Sequence, residues 1–345
     1  MTKKIVALAG DGIGPEIMEA GLTVLQAVAE KTNFYYSVQA YPFGGAGIDV
    51  AGHPLPASTL EAARGADAIL LAAIGSPQYD QAPIRPEQGL LALRKELNLY
   101  ANIRPVKIYD PLKHLSPLKE NRIHGVDFVV VRELTGGIYF GEHILEDDQA
   151  RDINDYTVEE VERIVRKAFE IARGRRKKVT SIDKQNVLAT SKLWRKVADR
   201  VAQDFPDVTL EHQLVDSAAM LMITNPSRFD VIVTENLFGD ILSDESSVLS
   251  GTLGVMPSAS HSESGPSMYE PIHGSAPDIA GQGVANPVSM ILSVAMMMRE
   301  SFNREEEASR IERAVEATLA TGIFTRDLGG SASTREMTEE IIKRL

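Results

Sequence analysis

The first hundred residues alternate short apolar strands with helices, and that rhythm restricts the fold more than any other feature. Residues 3–9 read as a buried strand, residues 10–14 as a tight glycine turn, and Pro15 suits the first position of a helix running to about residue 29. Residues 34–40 and 68–73 are two further strands, with a short helix over 56–64 between them and another over 85–97 behind. Strand–helix alternation of this kind predicts an α/β fold with helices on both faces of a sheet.

From about residue 100 the pattern shifts. Residues 128–132 and 137–140 are strand-like, 146–155 form an acidic exposed arm, 157–172 an amphipathic helix and 179–182 a strand. Residues 284–345 are mostly helical. No linker of Pro, Gly and Ser separates two halves, so the sequence predicts a second domain inserted into the first. A chain of 345 residues suits about two domains.

Composition excludes several classes of function. With 36 basic and 48 acidic residues the net charge is −12, against the basic face that nonspecific nucleic-acid binding needs. The chain has no Cys, which rules out disulfides, thiolate catalysis and zinc–thiolate sites. The first apolar run ends at Gly10, too short for a signal-peptide core, and no run approaches the roughly 20 apolar residues of a membrane span. Cytoplasm, with no membrane and no nucleic-acid partner, is the expected setting.

The chemistry concentrates in residues 225–286. Asp240 and Asp244 lie four apart in FGDILSDE and project from one face of a helix. Like charges there repel, and the pair makes best sense with a hard divalent cation between them, since Mg²⁺ and Mn²⁺ prefer carboxylate oxygen. The polar loop EPIHGSAPDIAGQGVANP could bring backbone amides close to a nucleotide, and Asp278 could bond a ribose 2′-OH while repelling a 2′-phosphate. The turn Gly10-Asp11-Gly12-Ile13-Gly14 lacks the G-x-G-x-x-G spacing, so it reads as a tight turn without a Rossmann pyrophosphate role.

Arg94, Arg104 and Arg132 sit at element ends or in apolar context. Their forks would suit a small dicarboxylate, or else three structural ion pairs. Taken alone, Tyr139 is a core tyrosine and Lys184 a solvated strand end, while Asp216 is either a helix N-terminal acid or a metal ligand.

GDGIGPE, ALRKELNLYANIRPV, VRELTGGIYFG, DKQNVL, FDVIVTENLFGDILSDE and YEPIHGSAPDIAGQGVANP, in this order and over nearly the whole chain, resemble the isocitrate/isopropylmalate dehydrogenase family of β-decarboxylating dehydrogenases, and within it the branch acting on 3-isopropylmalate. The resemblance implies a two-domain, non-Rossmann α/β fold with the active-site cleft between domains. Residues 1–99 with 252–345 would form the cofactor domain and 100–251 the substrate, metal and dimerisation domain.

It further implies that Arg94, Arg104 and Arg132 bind the substrate carboxylates, with Asp216 and Leu90 also at the substrate. Asp216, Asp240 and Asp244 would hold Mg²⁺ or Mn²⁺. Tyr139 and Lys184 would be the acid/base pair, and a partner subunit of a homodimer would supply Lys184 and Asp216. Gly75, Ser76, Pro77, His273, Gly274, Ser275, Ala276, Pro277, Asp278, Ile279 and Asn286 would line the NAD site. The implied reaction is oxidative decarboxylation of (2R,3S)-3-isopropylmalate to 4-methyl-2-oxopentanoate and CO₂ with reduction of NAD⁺, in leucine biosynthesis. Lys184 would move the C2 hydroxyl proton and Tyr139 would protonate the carbon that loses CO₂.

Glu87, Leu90 and Leu91 would face the substrate's variable substituent, and the leucines suit an isopropyl group better than a third carboxylate. The sequence departs from the family at Ser217, usually Asn, at Gly75-Ser76-Pro77-Gln78-Tyr79, usually Gly-Gly-Pro-Lys-Trp, and in the short loop His261-Ser262-Glu263-Ser264. Rival readings are a sister enzyme acting on D-malate, tartrate or homoisocitrate, and a member without catalysis serving as a regulatory or structural subunit. A metal-dependent hydrolase would use Asp240 and Asp244 but leave the nucleotide-like loop unexplained.

Overall fold

A computed structural model describes residues 2–345. Its strands are β1 (Lys3–Gly10), β2 (Tyr36–Ala40), β3 (Ala68–Ala73), β4 (Leu99–Lys107), β5 (Asp127–Glu133), β6 (His143–Leu145), β7 (Ala150–Asp152), β8 (Lys178–Asp183), β9 (Thr209–Leu214), β10 (Val231–Thr234), β11 (Pro257–Ser262) and β12 (Ser267–Pro271). Its α-helices are α1 (Gly14–Thr32), α2 (Gly45–Ala51), α3 (Ala57–Arg64), α4 (Pro86–Glu96), α5 (Glu120–Ile123), α6 (Val158–Arg173), α7 (Ala189–Ala202), α8 (Val215–Thr224), α9 (Asn236–Ser250), α10 (Val288–Glu300), α11 (Glu305–Ala320) and α12 (Thr334–Ile342). None is long and apolar enough to cross a membrane among the described residues.

The chain divides into two compact units. The first takes the chain up to Leu99, then Tyr109–Leu115 and Thr252–Leu345. The second takes Tyr100–Ile108 and Ser116–Gly251. Residues 109–115 therefore pack with the first unit, where a division at 100 and 252 would put them in the second.

In the first unit the strand order is β2-β1-β3-β12-β11. β2, β1, β3 and β12 run parallel, and β11 pairs antiparallel with β12. Val6, Leu8, Ile69, Leu71 and Met268 meet Phe43, Leu55, Leu93, Leu97 and Leu99 in one buried core cluster. α10 is buried from Val288 to Met298, as befits a helix apolar on every side. The β11–β12 hairpin has no counterpart in the sequence expectation, because Ser258 and Ser260 occupy buried positions where an apolar alternation would be sought.

In the second unit the order is β4-β5-β10-β8-β9, with β4 antiparallel to β5 and the others parallel. β10 is wholly buried and β5 is exposed only at its first residue, the apolar run expected of a strand covered on both faces. α6 begins with a capping box: Thr157 Oγ1 accepts the Glu160 N–H and the Glu160 carboxylate accepts the Thr157 N–H at 2.8 Å.

Two local expectations change. Residues 137–140 are not a strand: Gly137–Tyr139 form a 3₁₀ turn. Gly137 has φ +75°, and a Cβ there would lie 2.3 Å from the Tyr156 hydroxyl. The exposed arm is real as a surface feature, but Ala150–Asp152 pairs with His143–Leu145 as a small antiparallel hairpin.

Candidate active site

β5 ends in Arg132-Glu133, the turn Gly137–Tyr139 follows, and α9 presents its first turns to both. Arg132 is 5 % exposed. Its Nε and Nη2 donate to Asn236 Oδ1 at 3.0 and 2.8 Å, and its Nη1 forms an ion pair with Asp240. Tyr139 Oη donates to the other oxygen of Asp240 at 2.9 Å. One turn further along α9, Asp244 accepts from Arg104 Nη1 at 3.1 Å. Arg104 is held by Asn102 Oδ1 at 2.8 Å and Ser243 Oγ at 2.7 Å. On successive turns of α9 two guanidinium groups thus meet two carboxylates, one of which also takes a phenol, and the like charges are each neutralised by an arginine.

The environment sets the protonation of Tyr139. Burial first, then the hydrogen bond to Asp240, push its hydroxyl above the ordinary tyrosine value, so it stays protonated near neutral pH. The network rests on a buried frame. The fully buried Glu133 accepts the N–H groups of Thr135 at 2.9 Å and Gly136 at 2.8 Å, which bends the chain into the turn that carries Tyr139. Burial raises its carboxyl above the usual range against those bonds.

Lys184 follows β8, and Asp216 lies in the first turn of α8. Lys184 Nζ donates to Asp216 Oδ1 at 2.8 Å, and that bond is the main cause holding the carboxyl below its ordinary value. Among the described residues of one chain no three His, Cys, Asp or Glu side chains gather as a metal-binding group, so Asp216 does not join Asp240 and Asp244 within one chain.

In the first unit, Arg94 on α4 pairs with Glu270 at 3.2 Å, and its buried Nε has no hydrogen-bond partner. On the same helix Leu93 is core, Leu90 is half-buried against the core and Leu91 is 50 % exposed.

A cavity of about 820 Å³ opens beside the loop after β12. Ile13, Thr252, Leu253, Gly254, His273, Gly274, Ala276, Asp278, Ile279, Val284, Ala285, Asn286, Arg326 and Asp327 line it. Burial lowers the His273 imidazole below its usual pKa, and its buried Nε2 has no partner. An orphaned polar atom in a concave wall fits a ligand that brings its own hydrogen-bonding edge. Asn286 is fixed by Asp327, which accepts from its Nδ2 at 3.0 Å.

The cavity gathers His273, Gly274, Ala276, Asp278, Ile279 and Asn286 but not Gly75, Ser76, Pro77, Ser275 or Pro277. Ser275 is buried behind the loop and donates from Oγ to the Gly75 carbonyl at 2.6 Å. The Ser275 carbonyl accepts the Ile13 N–H at 2.8 Å, and a Cβ on Gly12 would lie 2.0 Å from that carbonyl oxygen. The glycine turn is therefore a seat for this loop. Asp11 completes it by accepting from the Gly45, Ala46 and Gly75 amides at 2.9, 3.0 and 2.9 Å. Arg326, Asp327 and residues 252–254 gave no sequence signal, since they lie outside the glycine-rich loop and only folding brings them to it. Asn236 carries no charge and sits in a motif whose chemical signal lies in its carboxylates.

Residues 4–341 match the family model for isocitrate/isopropylmalate dehydrogenase. A 3-isopropylmalate dehydrogenase of Streptococcus pneumoniae is 80 % identical over 345 residues, covering all of both chains. Another of that name, from Lactococcus lactis, is 67 % identical with 99 % of each chain covered. Among solved structures, isocitrate dehydrogenase from Methylococcus capsulatus superposes with a TM-score of 0.88 at 36 % identity, covering 99 % of both chains. An apo β-decarboxylating dehydrogenase from Thermococcus kodakarensis gives 0.85 at 36 % identity, covering 99 % of this chain and 96 % of that one. A model match over almost the full length, joined to relatives of this identity, means that the chain belongs to the isocitrate/isopropylmalate dehydrogenase family.

Proposed function

We propose that this chain catalyses the NAD⁺-dependent oxidative decarboxylation of (2R,3S)-3-isopropylmalate to 4-methyl-2-oxopentanoate and CO₂, the dehydrogenation step of leucine biosynthesis. The observation that carries the reading is that α9 sets Asp240 against Arg132 and Tyr139 and, one turn on, Asp244 against Arg104.

Arg104 and Arg132 are substrate clamps whose partners include the carboxylates of Asp244 and Asp240, so each guanidinium can also take a malate carboxylate. Arg94 adds a third guanidinium with a buried N–H still to satisfy. The half-buried Leu90 and the exposed Leu91 offer the isopropyl group apolar surface. The aspartates fit a hard divalent ion, Mg²⁺ or Mn²⁺: their donors are carboxylate oxygens alone, on successive turns of α9. When bound, the metal supplies Lewis acidity at the C2 hydroxyl and a counter-charge through decarboxylation. The cavity beside His273 and Asp278 fits NAD, which supplies the hydride acceptor.

The chain's own work is proton management and orientation. As the neutral amine Lys184 takes the C2 hydroxyl proton and becomes the ammonium, which the Asp216 carboxylate beside its Nζ steadies. Tyr139, kept protonated by its surroundings, gives its proton to the carbon from which CO₂ has left. Lys184 and Asp216 serve the site of a second copy in a homodimer, a reading supported by the lack of a three-carboxylate group of Asp216 with Asp240 and Asp244 among the described residues of one chain.

The experiment is stoichiometric. 3-Isopropylmalate, NAD⁺ and Mn²⁺ should give NADH and CO₂ in equal amounts, and EDTA should stop both. NADH without CO₂, or turnover indifferent to EDTA, would count against the reading.

A further inference from the structure

We infer that Asn236 is a positioning residue whose single amide fixes the carboxylate-binding Arg132 against the turn that carries the proton donor Tyr139; this rests on the function proposed above. Asn236 opens α9 and is 1 % exposed. Its Oδ1 accepts from Arg132 Nε at 3.0 Å and Nη2 at 2.8 Å, its Nδ2 donates to the Gly136 carbonyl at 3.0 Å, and its backbone N–H donates to Tyr156 Oη at 2.9 Å. Gly136 is the residue from which the turn Gly137–Tyr139 starts.

The contacts close a ring. Arg132 runs to Asn236, Asn236 to Gly136, the turn to Tyr139, Tyr139 Oη to Asp240 and Asp240 back to Arg132 Nη1. The Arg132 guanidinium carbon lies 5.8 Å from the centre of the Tyr139 ring, so clamp and acid are neighbours. Asn236 holds one edge of the guanidinium, and the Nη1 side faces Asp240.

Only a short carboxamide performs both tasks, because it carries an acceptor and a donor on one rigid plane. A carboxylate would serve Arg132 but repel the Gly136 carbonyl. The reversed amide would set its NH₂ against guanidinium N–H groups. The pairing of Asn with Arg132 on one side and a loop carbonyl on the other is therefore chemical, and its loss should separate substrate binding from proton delivery.

The test is steady-state kinetics on the full enzyme with 3-isopropylmalate, NAD⁺ and Mn²⁺. Asn236→Ala should raise the KM for 3-isopropylmalate about tenfold and lower kcat by a similar factor, with the KM for NAD⁺ within about twofold. Asn236→Asp keeps the acceptor, so its KM should stay within about threefold of wild type while the loss in kcat persists. In a cycle with Tyr139→Phe, adding either Asn236 variant should cost less than about threefold further in kcat. Additive losses, a parallel rise in the NAD⁺ KM, or equal KM damage from both variants would overturn the inference. If Asn236→Ala does not fold, the Asp variant and its cycle decide alone. A wild-type enzyme inactive on 3-isopropylmalate would instead overturn the proposed function. Solvent exchange of the Arg132 Nε–H, slow in wild type and Asn236→Asp and fast in Asn236→Ala, then judges the positioning, and unchanged exchange would reject it.

Discussion

At the scale of single residues, burial raises both the Tyr139 hydroxyl and the Glu235 carboxyl above their ordinary values. Tyr139 holds its proton and sits beside the carboxylate to which it now donates, which suits a group that gives a proton late in a reaction. Tyr139→Phe should therefore lower kcat at least about 100-fold while changing the substrate KM by no more than about threefold; a large KM change with kcat preserved would assign it to binding. Glu235, 3 % exposed and next to Asn236, is pushed up to about 6, mainly by burial and further by Asp183, with Ser191 and Asn154 opposing. A folded value above the unfolded one near 4.5 means stability present below pH 4.5 and lost as pH rises through about 6. Glu235→Gln removes that loss, so from pH 4.5 to 7.5 the variant should gain about 2 kcal/mol on wild type in urea unfolding. Parallel pH curves would contradict the assignment.

Site residues differed in how legible they were. Asp240 and Asp244 could be read from spacing alone, because a helix turns i and i+4 to one side. Arg94, Tyr139 and Lys184 could not, since an isolated arginine, tyrosine or lysine has a bland reading, and only the long motif matches single them out. Asn236 and Asp327 act through other side chains, and such roles exist only once the chain is folded.

At the scale of elements, the site depends on how closely α9 approaches β5. Gly239 makes the approach possible: a Cβ there would lie 2.6 Å from Arg132 Cγ and 2.8 Å from its Cβ. Gly239→Ala should destabilise the protein by about 1–3 kcal/mol in chemical denaturation and raise the 3-isopropylmalate KM, since Arg132 must yield. Unchanged stability with unchanged KM would mean that the helix shifts freely. The parallel strands and amphipathic helices of both units were plain in the periodicity, for example the buried β3 and the capped α6. The β11–β12 hairpin and the Gly137–Tyr139 turn were not. Serine in a buried strand carries no apolar signal, and a tyrosine flanked by β-formers looks like a strand until the positive φ of Gly137 turns the chain.

At the scale of the whole molecule, the chain holds two half-sets of groups. Lys184 pairs with Asp216, which forms no metal-binding group with Asp240 and Asp244 among the described residues of one chain, and in the proposed homodimer a second copy completes each set. Mixing a Lys184→Met variant with a Tyr139→Phe variant, each inactive alone, should restore about a quarter of wild-type activity, because half of randomly paired dimers are mixed and each has one intact site of two. No recovery after verified subunit exchange would place both residues in the same subunit's site. The most direct measurement of the proposed activity is NAD⁺ reduction at saturating Mn²⁺ with 3-isopropylmalate, D-malate, isocitrate and tartrate compared by kcat/KM. 3-Isopropylmalate should lead by at least about tenfold, the worth of an apolar substituent in a matching pocket. A lead for isocitrate, D-malate or tartrate would contradict it and show that Leu90 and Leu91 do not select the substrate.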